Sequence, residues 1–204
     1  MKLFHLSDLH IGKRVNEFSM IEDQKYILKR ILDLAEEEKP DGIILAGDIY
    51  DKQIPSAEAV QVFDEFITRL AGRAIPVFII SGNHDSAERL AFGGRLLNSR
   101  GIYLSPVYDG SVTKIPLKDQ YGTVWIHLLP FIRPSTVRHV FENEADLVTD
   151  VQTAAETVIR HMEIDLKDRN ILVAHQFVTG ASRCESEDVQ VGGLDNIDAA
   201  VFTP

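Results

Sequence analysis

Two short runs, Gly42-Ile43-Ile44-Leu45-Ala46 and Ala74 to Ile80, are almost wholly apolar and stop at Gly47-Asp48 and at Ser81-Gly82-Asn83-His84-Asp85. A strand that is apolar along its whole length has no face to give to water, so it belongs inside a sheet covered on both sides. A similar run, Leu3 to Leu6, precedes them. Segments of helical period separate the three. Ile27, Ile31 and Leu34, with Leu28, Leu32 and Ala35 beside them, mark one helix with a solvated Glu36-Glu37-Glu38 end; Lys39-Pro40 stops it, since the residue before proline disfavours helix. Ser56 is a natural N-cap for a second helix, whose face is Val60, Phe63, Ile67 and Leu70 and whose C-terminal glycine is Gly72. Two strand-helix-strand crossovers in a row predict a parallel sheet in an α/β fold.

A third helical stretch is expected from Ala87 to Asn98, after which the alternation breaks. Residues 101–132 read as strands, chiefly Val112 to Ile115 and Val124 to Leu129, with turn signals at Asp109-Gly110 and Tyr121-Gly122. Val151, Ala154, Ala155, Val158, Ile159 and Met162 then predict a helix, Asn170 to Ala174 a buried strand ending at His175, and Ala199 to Phe202 a last strand-like run. No repeat, low-complexity segment or linker divides the chain, so residues 1–204 are read as one domain. Thirty-one acidic against twenty-one basic residues give a formal charge of -10, which excludes nucleic-acid binding by overall charge. The single Cys184 excludes an internal disulfide and a Cys-rich zinc site. The charged residues near the N-terminus and the lack of any run near the ~18 apolar residues of a membrane span lead us to expect a soluble cytoplasmic protein with no membrane contact.

Four separate strands end in residues able to hold a metal: Asp8 and His10, Asp48, Asn83 with His84, and His175. Ligands in open α/β sheets gather at the carboxyl ends of the strands, so these six should converge on one rim. Singly, each aspartate or asparagine is ordinary turn or helix-cap chemistry; what counts is Asp-x-His, Gly-Asp and Gly-Asn-His-Asp in order, each directly after a buried strand. Carboxylate, imidazole and amide donors without thiolate suit a divalent ion such as manganese, iron or zinc. Two ions roughly 3.5–4 Å apart need a bridging carboxylate, and Asp48 is the natural bridge, with Asp8 and His10 on one ion and Asn83 and His175 on the other. His84 is assigned to catalysis, as the group that serves the departing oxygen of a phosphate ester, with Asp85 orienting its ring. His5 and His127 are read as core or sheet histidines, His139 and His161 as surface, Trp125 as core and Cys184 as unreactive.

Leu6-Ser7-Asp8-Leu9-His10-Ile11-Gly12, Ala46-Gly47-Asp48-Ile49-Tyr50-Asp51 and Ser81-Gly82-Asn83-His84-Asp85-Ser86 resemble the calcineurin-like metallophosphoesterases. His84 to Leu90, Leu129-Pro130-Phe131 and Ile171 to Gly180 further resemble the SbcD-type nuclease subunits within that family. The resemblance implies a four-layer α/β/β/α sandwich with two mixed sheets and a site for two Mn²⁺ ions. It further implies exonuclease and endonuclease cleavage of DNA at double-strand ends and hairpins, in repair, recombination or replication. Asp8, His10, Asp48, Asn83 and His175 are then metal ligands and His84 the catalytic histidine. An SMC-like ATPase of the SbcC type and a second copy of the chain are the implied partners. The family completes its metal site with a Gly-His-x-His motif and adds a capping domain, both beyond this sequence, so the chain is expected to correspond to an N-terminal portion with weak activity by itself. Lys13, Arg14, Lys52, Arg89 and Arg133 are candidate contacts for a nucleic-acid backbone. A small-molecule phosphodiesterase or phosphatase on the same scaffold, and a noncatalytic dimerisation or docking unit, are the alternative readings.

Overall fold

The computed structural model describes residues 1–179 and 196–203. Strand β1 (Leu3–Leu6) is followed by a tight hairpin, β2 (Arg14–Val15) and β3 (Phe18–Ser19), and then by helix α1 (Ile21–Glu38). Strand β4 (Gly42–Ala46), helix α2 (Ala57–Ala71) and strand β5 (Val77–Ile80) repeat the crossover. Two short helices, α3 (Ala87–Leu90) and α4 (Gly94–Asn98), lead to β6 (Ile102–Leu104). Strands β1, β4, β5 and β6 form one sheet in that order, every pair parallel. The antiparallel pair β7 (Thr113–Asp119) and β8 (Gly122–Leu128) forms a second sheet with β9 (Arg169–Val173), which runs parallel to β8. Helices α5 (Pro134–Val140) and α6 (Val151–His161) lie between β8 and β9 in the chain.

Successive residues of a strand point to opposite faces, and here that alternation builds the layers. Ile43, Leu45, Val77 and Ile79 face α1 and α2, whereas Ile44, Ala46, Phe78 and Ile80 meet Val124, Ile126, Leu128 and Val173 of the second sheet. A third core, Leu129, Ile132, Val137, Ala154 and Val158, closes α5 and α6 against the second sheet from outside. The result is the four-layer α/β/β/α order, with the mixed pairing confined to the second sheet.

Several details depart from the sequence expectations. Ile27, Leu34 and Val60 are exposed; the buried stripes are Leu28, Leu32 and Ala35 on α1 and Val62, Phe63, Phe66, Ile67 and Leu70 on α2. Each helix carries apolar residues over more than one stripe, and the sheet contact selects among them. Lys39 ends α1 in the left-handed conformation, but Gly72 stays right-handed and Ala74 takes the positive φ, so β5 starts only at Val77. The expected helix 87–98 breaks at Gly93, whose φ is 75°. The parallel alternation also continues one strand further than predicted, since β6 pairs with β5. Helix α5 and the hairpin have no counterpart among the expected elements. Ala199–Phe202 is a 3-10 turn capped by the Asp198 side chain rather than a strand. Trp125 is only half-buried and donates to Asp168, while His127 is buried with Nε2 2.9 Å from Asn170 Oδ1. His5, His139 and His161 are exposed, and Cys184 lies outside the described residues.

Phe78 is fully buried between the two sheets. Phe78→Ala should cost about 3–5 kcal/mol and lower Tm by roughly 10 °C in a domain of this size. Thermal melts of the two proteins test this, and equal Tm values would contradict the packing.

Candidate metal centre

Asp8 and His10 follow β1, Asp48 follows β4, Asn83 and His84 follow β5, and His175 follows β9, so the carboxyl ends of strands from both sheets supply the cluster. The turns that present these side chains are unusual. Asp8, His10 and Asp48 have φ of 57°, 42° and 51°, a left-handed region that costs non-glycine residues about 1–3 kcal/mol and is most tolerable for Asp, Asn and His. The surroundings enforce it. The parallel ladder continues past the strand ends through Asp8 N donating to Gly47 O (3.1 Å), His10 N to Asp48 O (2.9 Å) and Ile11 N to Ile49 O (2.9 Å). Gln24 of α1 holds the same loop, accepting from Gly12 N at 2.9 Å and donating to His10 O at 2.7 Å.

Asp48 stands at the middle with its side chain 3% exposed. Its Oδ2 lies 3.8 Å from His10 Nε2, 4.0 Å from His84 Nε2 and 3.5 Å from His175 Nε2, while Oδ1 accepts from His84 N at 2.9 Å. The first three separations are too long for hydrogen bonds. They suit atoms sharing a cation, since two ligands bound at about 2.0–2.2 Å stand roughly 3–4.4 Å apart. Two overlapping triads arise, His10-Asp48-His84 and Asp8-Asp48-His175, with Asp48 in both. This grouping cuts across the division expected from sequence, because Asp8 reaches toward His175 as well as toward His10, whose Nε2 is 3.6 Å away.

Backbone carbonyls aim the imidazoles. His175 Nδ1 lies 2.7 Å from Ala46 O and His84 Nδ1 3.0 Å from Asp51 O. With its Nδ1 proton committed to Ala46, His175 turns the Nε2 lone pair toward Asn83 Oδ1 at 3.1 Å and Asp48 Oδ2 at 3.5 Å. A lone pair among oxygen acceptors repels unless a proton or a cation sits between them. The donor set therefore fits a divalent ion. His10 Nδ1 is buried without a partner, and the His10 and His84 rings meet edge-on at 4.8 Å.

The charges are mutually adjusted. The neighbouring His10 ring, opposed by burial and aided by the Ser7 hydroxyl, brings Asp8 down to about 2, and Asp8 in turn raises His10. Burial works against ionisation of Asp48, but the facing His175 ring and the hydrogen bond from the His84 backbone outweigh it and leave its pKa lowered. For His175 burial favours the neutral ring, and Asp48 more than offsets that, so the pKa is raised.

All six predicted residues come together. Asp85 does not reach the His84 ring; it is buried, and accepts from Gly82 N (2.9 Å), Ile49 N (3.1 Å) and Tyr50 N (2.9 Å), which pins the Asn83-His84 turn to the loop after Asp48. Burial pushes the Asp85 pKa up against these three bonds. Gly47 and Gly82 have roles the sequence pattern alone does not reveal: a Cβ on Gly47, whose φ is 90°, would sit 2.6 Å from the His175 ring, and one on Gly82 2.1 Å from Asp48 Oδ1. Of the candidate surface cations, Arg133 stands beside the centre, with its guanidinium 3.5 Å from Asn83 O and over the Phe131 ring at 5.3 Å. Arg14 instead donates to Glu17 O.

Two outcomes follow from this geometry. Asp85→Ala strands three backbone donors and should cost about 3 kcal/mol or more, with Asp85→Asn milder because one acceptor oxygen remains; chemical denaturation decides, and a wild-type midpoint for the alanine variant would contradict the clamp. The raised His10 and His175 stabilise the metal-free fold below about pH 6.5, and this contribution is lost as pH rises through their raised values. Metal binding needs the same rings neutral. The Mn²⁺-induced rise in Tm should accordingly be larger at pH 8 than at pH 6, and equal shifts would contradict histidine ligation.

A family model described as calcineurin-like phosphoesterase matches residues 1–199. The SbcD subunit of the SbcCD nuclease from Staphylococcus saprophyticus subsp. saprophyticus is 32% identical over 206 residues, covering 99% of this chain and 53% of the relative. The chain thus spans about half the length of the curated relative it matches. The match of the family model across nearly the whole chain, and the rim of aspartates and histidines it encloses, make this chain a member of the calcineurin-like phosphoesterase family.

Proposed function

We propose that this chain is the metallophosphoesterase part of a DNA nuclease subunit of the SbcD type, which cleaves phosphodiesters at double-strand ends and hairpins together with an SMC-like ATPase in repair or recombination. The observation that carries this reading is the buried Asp48 carboxylate facing three imidazole nitrogens at 3.5–4.0 Å, supported by the relative's description as a nuclease subunit. Asp48, which belongs to both triads, would be shared between the ions, and Asp8, His10, Asn83 and His175 would complete their hold. A pair of divalent cations, for which manganese is our choice, would supply Lewis-acid activation of water and neutralise the phosphodiester charge. With Nδ1 committed to Asp51 O, His84 presents Nε2 to the centre, and in its imidazolium form it would give the Nε2 proton to the departing oxygen.

The partners follow from the same reading. Phe92 and Leu96 are 87% and 79% exposed on the α3–α4 segment and offer an apolar surface for a second copy of the chain. No helix among the described residues is long and apolar enough to cross a membrane. Action on DNA would place the protein in the cytoplasm.

His84→Gln should lower hairpin cleavage by about 10²–10⁴-fold with metal content unchanged, whereas Asp48→Ala should lose both metal and activity. Metal analysis beside the cleavage assay separates the roles. If His84→Gln strips the metal, His84 is a ligand and the proposed division fails.

A further inference from the structure

A groove of about 590 Å³ opens beside the metal centre, lined among the described residues by Asn83, Phe131, Arg133, Arg138, Gln176 and Phe177. Its size falls inside the ~300–1,000 Å³ range of ligand clefts. One end is Asn83, whose Oδ1 touches His175 at 3.1 Å, so anything lying in the groove abuts the reacting centre. Arg133 is exposed, and the one hydrogen bond of its side chain among the described residues is the long 3.5 Å approach to Asn83 O, with the Glu88 carboxylate close enough to feel its charge but in no ion pair with it. Most of its donors are therefore open to a ligand, and the Phe131 ring lies 5.3 Å from the guanidinium carbon. Arg138 donates to Val148 O at 2.8 Å, which fixes a second positive charge in the same wall. The carboxylate that also borders the groove, Asp150, is engaged by the start of α6, accepting from Thr153 N at 2.8 Å within a capping box. The wall nearest the centre thus pairs guanidinium groups with aromatic surface in a chain whose formal charge is -10.

We propose that this groove is a subsite for the nucleotide next to the scissile phosphodiester, with Arg133 binding the flanking phosphate and Phe177 offering apolar surface to its sugar and base. This rests on the nuclease reading above. A planar fork of donors matches phosphate oxygens, and cation plus aromatic surface is the combination that holds single-stranded nucleic acid. A monomeric phosphodiester fills only the metal centre and leaves the groove empty. Arg133 then separates polymer from small substrate by binding a phosphate that the small substrate lacks.

The test compares wild type, Arg133→Ala and Arg133→Lys as manganese-loaded holoenzymes on a DNA hairpin and on bis(4-nitrophenyl) phosphate, with the hairpin KM measured over a salt series. For Arg133→Ala, the ratio of specificity constants, hairpin over aryl diester, should fall about tenfold or more. The slope of log affinity against log salt should become shallower by about 0.7–0.9, one phosphate contact. Arg133→Lys should keep the wild-type salt slope while recovering only part of the ratio. Equal losses on both substrates would overturn the subsite and make Arg133 a support for the Asn83 turn, as would an unchanged salt slope. A wild-type holoenzyme that turns over the aryl diester but no nucleic acid would instead defeat the nuclease reading itself.

Discussion

A buried carboxylate is unfavourable unless hydrogen bonds or positive charge face it, and Asp48, with its side chain 3% exposed, accepts the His84 backbone N–H at Oδ1 and turns Oδ2 toward imidazole nitrogens from three different loops, a donor set that suits a cation. Its burial depends on Gly82, where any Cβ would collide with it, and on a left-handed backbone secured by its own strand ladder. The remaining features of the site are arranged around this one group. Gly47 leaves room for His175, the Ala46 and Asp51 carbonyls set which ring nitrogens turn inward, and Asp85 fastens the two central loops together.

The layered fold explains how residues nearly 170 positions apart meet. Parallel strands bring all their carboxyl ends to one edge, and crossover helices keep the loops there short and aligned. Packing the second sheet on the first through Phe78, Ile80, Ile126 and Leu128 carries the end of β9, and with it His175, over the rim of the first sheet. Cores on both sides of that interface give the site a rigid floor. Strained φ angles at Asp8, His10 and Asp48 persist because that floor leaves the loops no alternative, which is the sense in which backbone strain marks a working site.

Much of this was legible in the sequence because the decisive signals are local. A run such as Ile43-Ile44-Leu45 is apolar on both faces only if both are covered, and a Gly-Asp or Gly-Asn-His stop directly after it places polar groups at a strand end. Helix faces were less legible. Ile27 and Leu28 are adjacent and equally apolar, and only the position of the sheet decides that Leu28 is buried and Ile27 exposed. Helix α5 carries a start signal, Pro134 at its first turn, within a stretch otherwise dominated by β-prone residues. Asp85 is the clearest case of a residue recognised but misassigned: adjacency to His84 suggested a partner for the ring, yet the chain turns so that the carboxylate points back to three backbone N–H groups. Gln24 and the Asp51 carbonyl left no sequence trace, since one is an ordinary polar residue on a helix and the other a main-chain atom.

Crystals of this chain soaked in manganese test by anomalous scattering whether two cations share the Asp48 carboxylate. Two peaks about 3.5–4 Å apart, on either side of Asp48 Oδ2 and within reach of Asp8, His10, Asn83 and His175, are the predicted result. Manganese bound away from Asp48, or a soaked site with no anomalous signal among these side chains, would contradict it.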